Sequence, residues 1–340
     1  MWDASKCDLC GDCLVACHYV DYDRDQAVRE LRLLMDGKPA DILNSCVTCN
    51  ACYETCPTGA DPGDLIGKMQ EKTGSPITVH AKPFLDGLAK VLEEGNGDAE
   101  FIQGDPDKPV LSLDSFNFDQ FPEGTLDSKL FQGMSVVRGT QYMSLVGLVH
   151  MGGASFAEKY ARRVIGRLAE LGKDIVYIHN EGYVLAHVKS KELGIDVPFR
   201  YRHLFDYLCR FFSRNPQMVT QLNRKVAYQA NCANRWIPEQ DVWLSELFDR
   251  IGVQRVQREF EGKNALCCSG PIIRSNKALA VKMQEDNVKD AIDAGAEALI
   301  TICPMCDWVL RRPTSQLGLP KIFITDLCRM AIGELAWPGR

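Results

Sequence analysis

Thirty-four residues separate Cys232 from Cys267 in Cys267-Cys268-Ser269-Gly270, and thirty-four separate Cys268 from Cys303 in Cys303-Pro304-Met305-Cys306. Adjacent cysteines scarcely bridge each other without strain, but both can point at one metal–sulfur centre. Each group of thiols falls just past a segment that reads as a strand: 225–229, 265–266 and 298–302. Segments 239–251 and 276–294 read as helices, and the alternation predicts an α/β unit. Such folds gather their sites in loops beyond the carboxyl ends of parallel strands. The run from Cys303 to Cys306 also opens a helix, where backbone N–H groups favour thiolate over thiol. Four thiolates satisfy a zinc ion. Five exceed a tetrahedral site and predict an iron–sulfur centre of higher nuclearity, with structural zinc on four of them as the alternative.

Working outward, 136–137, 145–149 and 174–178 read as strands and 156–171 as a helix, with a last strand at 322–325. One domain is therefore expected over 133–340, in two lobes of about 133–215 and 225–340. The lobes read as an internal repeat. At an offset of 124, His179 stands where the second lobe has Cys303, and Gly182 where it has Cys306. His150-Met151-Gly152-Gly153 stands where Cys267-Cys268-Ser269-Gly270 would, and Thr140 takes the place of Cys232. The first lobe is thus a degenerate copy with its thiols replaced. His150 and His179 are candidates to line a substrate site or bind a metal; the alternative is that they are packing remnants. Residues 95–130 are rich in turn formers and read as a linker pinned by Phe116, Phe118 and Phe121, so 76–132 is expected to be a helix plus linker.

The amino-terminal 75 residues carry a second pattern twice. The first run is Cys7-x-x-Cys10-x-x-Cys13-x-x-x-Cys17, and the second is Cys46-x-x-Cys49-x-x-Cys52-x-x-x-Cys56-Pro57. This is the run of bacterial-type ferredoxins, whose fourth cysteine ligates the other cluster. One [4Fe–4S] cluster is thereby assigned to Cys7, Cys10, Cys13 and Cys56, and a second to Cys46, Cys49, Cys52 and Cys17. A pair of structural zinc sites is the alternative. Helical periodicity at 25–35, 62–71 and 82–94 predicts a helical ferredoxin module rather than a βαβ one. The fold class expected is α+β and multidomain.

The chain has 340 residues, a net charge of −6 and fifteen cysteines. An odd count at two- and three-residue gaps favours metal ligation in a reducing compartment over disulfides. Met1 to Lys6 lead into Cys7 with no apolar signal region, so a cytoplasmic protein is expected, able to dock on a membrane partner. No basic block suits nucleic acid. No G-x-G-x-x-G opens a helix after a strand, so electrons are expected to come from and go to other chains. Cys209 and Cys328 sit in apolar helical segments and read as core thiols.

The set of Cys232, Cys267-Cys268-Ser269-Gly270 and Cys303-x-x-Cys306 resembles the CCG motif of the cysteine-rich subunit of heterodisulfide reductase. The whole chain resembles a fusion of that enzyme's double-[4Fe–4S] ferredoxin subunit with its CCG subunit, the D-type arrangement. Similar builds occur in iron–sulfur subunits of glycolate and anaerobic glycerol-3-phosphate oxidases and of sulfate-reducer membrane complexes. The resemblance implies an oxidoreductase subunit of anaerobic metabolism that is active within a complex. It implies a noncubane [4Fe–4S] cluster on Cys232, Cys267, Cys268, Cys303 and Cys306, fed through two cubanes and meeting a small disulfide or thiol. A flavoprotein, a ferredoxin-like chain or a membrane quinone-linked subunit would be the partner. The archetype has two CCG motifs and this chain keeps one. That departure leaves two other readings open: a non-catalytic electron-transfer subunit between a flavoprotein and a quinone- or ferredoxin-linked partner, and an assembly scaffold with a zinc-bound carboxyl-terminal domain.

Overall fold

The computed structural model describes residues 1–114 and 116–339. Its first 94 residues hold helices and, among the described residues, no strand: α1 Asp12–Val15, α2 Arg24–Met35, α3 Ile42–Ser45, α4 Ala51–Thr55, α5 Pro62–Thr73 and α6 Pro76–Glu94. Helix α2 starts where the Asp23 carboxylate accepts the Gln26 N–H at 2.7 Å, one of the orphan donors of a first turn. Its Ala27, Leu31 and Leu34 recur at helical spacing and face Leu14, Ile42, Leu43, Ile66 and Met69 in a small core. Ser75 and Thr78 cap α6 reciprocally, with Pro76 in the first turn and Gly95 left-handed at its end.

The rest of the chain is mixed α/β, built on two small sheets. The first contains β1 Glu100–Ile102, β2 Val110–Ser112, β3 Ser135–Arg138, β4 Ile175–Tyr177 and β5 Tyr201–His203, with helices α7 Phe156–Ala169, α8 Asn180–Val184, α9 Ser190–Glu192 and α10 Leu204–Arg214. Its order is β1-β3-β2-β4-β5, all parallel except the β1 edge. The second contains β6 Arg224–Tyr228, β7 Val253–Arg255, β8 Ala298–Thr301 and β9 Lys321–Phe323, with α11 Gln240–Ile251, α12 Lys277–Asp293, α13 Pro304–Leu317 and α14 Ile324–Ala331. Its order is β7-β6-β8-β9, all parallel. Leaving the β1 edge aside, both sheets run second-first-third-fourth. The order reverses beside β2 and β4 in one sheet and beside β6 and β8 in the other, where α/β folds open a crevice.

Three expectations need correction. The segment read as linker supplies β2, the central strand of the first sheet. Val110, Leu111 and Ser112 are buried on both faces and pair with Ser135–Val137 on one side and Ile175–Tyr177 on the other. The first sheet therefore takes two strands, β1 and β2, from that segment. Three residues among prolines and glycines carry too little periodicity to be read as a strand. Second, neither 265–266 nor 145–149 is a strand: Ala265 and Leu266 lie in a loop after a 3₁₀ turn, Gly262–Asn264. Leu145 has φ +63 and opens a 3₁₀ turn, Val146–Met151, closed by Gly152 at φ +84. Third, Thr140 does not hold the place of Cys232. It follows β3, the counterpart of β7, whereas Cys232 follows β6; its N–H and hydroxyl bond the Asp98 carboxylate.

The two sheets share one core. Leu111, Val136, Val176 and Ile178 from the first pack with Val226, Tyr228, Ile300 and Ile302 from the second, and Phe121 joins them. Phe116 and Phe118 pack against that core. Full burial of such side chains contributes roughly 1.5–3 kcal/mol each. The loops beyond β4 and β6 are locked together: Asn180 Nδ2 donates to Asn231 Oδ1 at 3.2 Å, Asn234 Oδ1 at 3.0 Å and Gln240 Oε1 at 2.6 Å. That lock sets the strand ends of one lobe against those of the other.

Candidate metal centre

The two amino-terminal cysteine runs share a backbone form. Leu9 and Thr48, one before the second cysteine of each run, are left-handed at φ 60 and 55; Gly11 and Asn50, one after it, are left-handed at 79 and 59. Three of these four residues are not glycine, and such conformations persist only where the surroundings over-determine them. Alternating handedness turns successive N–H groups inward, the concavity that suits anionic sulfur. The Thr48 N–H donates to Cys46 Sγ at 3.3 Å and the Ala60 N–H to Cys56 Sγ at 3.4 Å.

Cys46, Cys49, Cys52 and Cys17 line one small pocket, partly open to solvent, that Cys13 lines with them. Cys13 in turn lies among Cys56, Cys10 and Cys7; burial first, and then those neighbours, push its thiol up to about 12. The carboxyl-terminal cysteine of each run is thus brought to the other run. Burial likewise pushes Cys46 up to about 12 and raises Cys49 and Cys52. Buried thiols held against ionisation are suited to a group that brings its own positive charge.

The five carboxyl-terminal thiols come together as well. Contacts run from Cys232 to Cys267, from Cys267 to Cys268, from Cys268 to Cys306 and from Cys306 to Cys303. Cys232 and Cys267 are 4.0 Å apart between sulfurs. Among the described residues, no three His, Cys, Asp or Glu side chains are grouped around a single metal-ion position. The thiols make a row, suited in number and softness to an extended metal–sulfur group. Ser269, left-handed at φ 70, returns its N–H to Cys267 Sγ at 3.3 Å. Protons are unequally shared along the row. The Cys267 thiol, and then His150, draw Cys232 down to about 6 against the cost of burial. Cys306, and then His179, lower Cys303, while Cys267 and Cys306 are raised by the thiols they serve.

Lobe one supplies a histidine at each end of the row. His150 lies against Cys232 and His179 against Cys303. Burial depresses both, but Cys232 for one, and Glu181 then Cys303 for the other, bring each up to about 9. Glu181 is pushed up to about 7 by burial, against the pull of His179 and His150. It fits against Gly147, where a Cβ would come within 2.4 Å of its Oε2.

Residues that sequence reasoning did not single out join the two regions. The Cys267 N–H donates to the Tyr19 hydroxyl at 3.1 Å, and Thr48 Oγ1 meets His150 Nδ1 at 3.0 Å. Val47, Ile77, Cys267, Ile272, Ala280 and Met283 form one apolar cluster, against which Tyr19, Cys49 and Cys232 pack. Tyr19 is two residues past Cys17, and Thr48 lies inside the second run, but no local pattern says what either will face. His203, Cys209 and Cys328 have ordinary surroundings. His203 is bonded to Asn180 and the Phe205 N–H, and Cys209 and Cys328 lie in the main core.

Arg235 fastens this junction. It is buried, pairs with Glu54 of α4, and donates to the carbonyls of Gly262, Lys263 and Ala265 at 2.9–3.1 Å. Arg235→Ala leaves a half-buried carboxylate and three carbonyls short of a donor, so a loss of about 3 kcal/mol is expected. Arg235→Lys recovers only part, because an ammonium lacks the planar fork. Denaturant unfolding of the anaerobic protein checks this; a loss under about 1 kcal/mol would show that the pair is dispensable.

A family model described as "CCG: Cysteine-rich domain" matches residues 226–311, the span of all five thiols. A crystal structure of a hypothetical protein from Helicobacter pylori resembles the chain with a TM-score of 0.54 at 15% identity, over 89% of this chain. The chain spans 64% of the length of that protein, and the likeness is one of fold. Among curated proteins no sequence match was found. No helix among the described residues is long and apolar enough to cross a membrane. The chain carries a cysteine-rich CCG domain, and with its fifteen cysteines it has the marks of an iron–sulfur redox protein.

Proposed function

We propose that the chain is an iron–sulfur oxidoreductase subunit of a larger complex, working on a disulfide and its thiols in the manner of heterodisulfide reductase. Cys7, Cys10, Cys13 and Cys56 would hold one [4Fe–4S] cluster, and Cys46, Cys49, Cys52 and Cys17 a second. Cys232, Cys267, Cys268, Cys303 and Cys306 would hold a noncubane [4Fe–4S] cluster. Bound there, these groups would supply one-electron transfer and a meeting place for iron and sulfur. The observation that carries the reading is the row of five thiols, two of them just past β6 and β8 and two in the loop after Gly262–Asn264, joined to the second cysteine run through Tyr19 and Thr48.

The chain's own residues contribute three things. The locked loops of Asn180, Asn231 and Asn234 hold the two lobes in register. The Tyr19 contact and the Cys49–Cys232 approach keep the second quartet beside the CCG thiols. The apolar cluster around Cys267 and Ile272 limits water at that junction. The shared strand order of the two sheets supports two pseudo-repeated lobes, of which lobe one has exchanged its thiols for His150 and His179. Electrons would be exchanged with a flavoprotein, ferredoxin-like or quinone-linked chain.

The loss of thiols from lobe one favours a second reading, a relay subunit with no disulfide substrate. Metal and sulfide analysis of anaerobically prepared protein, with EPR of the dye-oxidised form before and after thiol addition, separates the readings. About twelve irons per chain with a new signal on thiol addition is the expected result. The same iron with no response to thiol or disulfide would favour the relay. About eight irons and one zinc would remove the CCG cluster and with it the proposal.

A further inference from the structure

His179 is 1% exposed, yet among the described residues neither ring nitrogen has a hydrogen-bond partner of ordinary geometry. A neutral imidazole carries one N–H and one acceptor nitrogen, and buried polar groups are ordinarily satisfied. The nearest carboxylate oxygen, Glu181 Oε2, is 3.7 Å from Nδ1, beyond hydrogen-bonding range. The Phe116 ring stands edge-on at 5.0 Å and limits the imidazole's rotation. His203 shows what a satisfied histidine in this lobe looks like: Nε2 meets Asn180 Oδ1 at 2.9 Å and Nδ1 accepts the Phe205 N–H at 3.1 Å.

The topology says which way the unsatisfied ring looks. His179 lies two residues past Tyr177, the end of β4; Cys303 lies two residues past Thr301, the end of β8. Each strand is the third of its parallel sheet, and each residue precedes a helix. The two residues lie against each other across the lobes, and a thiol sulfur is a weak partner for an imidazole. At the other end of the row, His150 has its Nδ1 engaged by Thr48 and its ring against Cys232. The sulfur row is therefore faced from lobe one by two imidazoles, one of them with hydrogen-bonding capacity to spare.

We propose that His179 hydrogen-bonds the sulfur of a low-molecular-weight thiol, or of the disulfide such a thiol forms, bound at the five-cysteine site. This rests on the reading of that site as a cluster-bearing thiol/disulfide centre. His150 bounds the same ligand from the Cys232 end, and Glu181, seated against Gly147, positions His179. The former cluster position of lobe one becomes the ligand's polar wall.

The test is an anaerobic EPR titration of the full chain with 2-mercaptoethanol, on wild type, His179→Ala and His179→Asn, with iron counted in each. The expected result is wild-type iron and an unchanged thiol-free spectrum in both variants. Half-saturation should move to about tenfold higher thiol in His179→Ala, the effect of one lost hydrogen bond, with partial recovery in His179→Asn. Equal half-saturation in all three proteins would overturn the role of His179 and leave the reading of the site intact. A shifted thiol-free spectrum or lost iron in both variants would make His179 a ligand or support of the cluster and overturn the proposal. Full iron in wild type with no response to thiol would sink the reading of the site and this inference together.

Discussion

Cys268→Ala is expected to lower bound iron from about twelve to about eight atoms per chain, with both cubane signals kept and the thiol response abolished. Cys268 is the middle of the sulfur row. It touches Cys267 on one side and Cys306 on the other, so its loss breaks the row into two pairs of thiols. Neither pair has the ligands for a four-iron group. The fold itself should survive. Cys268 packs with Ala227, Val288, Leu299 and Leu310 in a separate apolar cluster, and exchanging a buried thiol for a methyl group leaves only a small cavity there. The amino-terminal helical region has its own core. What is lost in stability is the linkage from the bound group, which favours only the folded state. Iron and sulfide analysis beside circular dichroism checks the split. Twelve irons in the variant would mean that Cys268 is no ligand, and four would mean that the three sites assemble as one unit.

The sequence made the cysteine pattern more legible than the architecture. Cysteine spacing belongs to single loops, so it is local and can be read from a dozen residues. The helices with strong periodicity, α2, α7 and α11, are legible for the same reason. Strand β2 is not, because three residues between prolines become a strand only when β3 and β4 arrive on either side. Missing β2 also misplaces what is built on it, as with Thr140 in the place of Cys232. The run 145–149 failed in another way, since its apolar residues are buried as a strand's would be, but on a 3₁₀ turn opened by a left-handed leucine. The contacts of Tyr19, Thr48, Glu54 and Arg235 cross from one region to another at separations of 102 to 248 residues. No window along the chain contains such pairs.

The crossing of ligands between the two ferredoxin runs is testable by non-additivity. If Cys56 shares a cluster with Cys7, Cys10 and Cys13, then Cys7→Ala and Cys56→Ala remove the same group. Each single variant should keep about eight irons, and the double variant about eight again. Cys46→Ala with Cys56→Ala removes two different groups and should keep only about four. Ligation confined within each run gives the opposite pattern, with about four irons in the first double variant and about eight in the second. The geometry favours crossing. Cys13 has Cys56, Cys10 and Cys7 as its sulfur neighbours, and one cavity is lined by all of Cys17, Cys46, Cys49 and Cys52. Crossing also has a consequence for direction. Cys49 and Tyr19 pack with Cys232 and Cys267 in one apolar cluster, and no member of the first quartet belongs to it among the described residues. The first quartet is then the outer one, with Cys10 flanked by Asp8 and Asp12 near the surface. Losing it should slow exchange with a protein partner while a small reductant still reaches the CCG site. Losing the second quartet, through Cys17→Ala, should separate partner from site altogether. A partner-driven rate that survives Cys17→Ala would show that electrons reach the five thiols by another path.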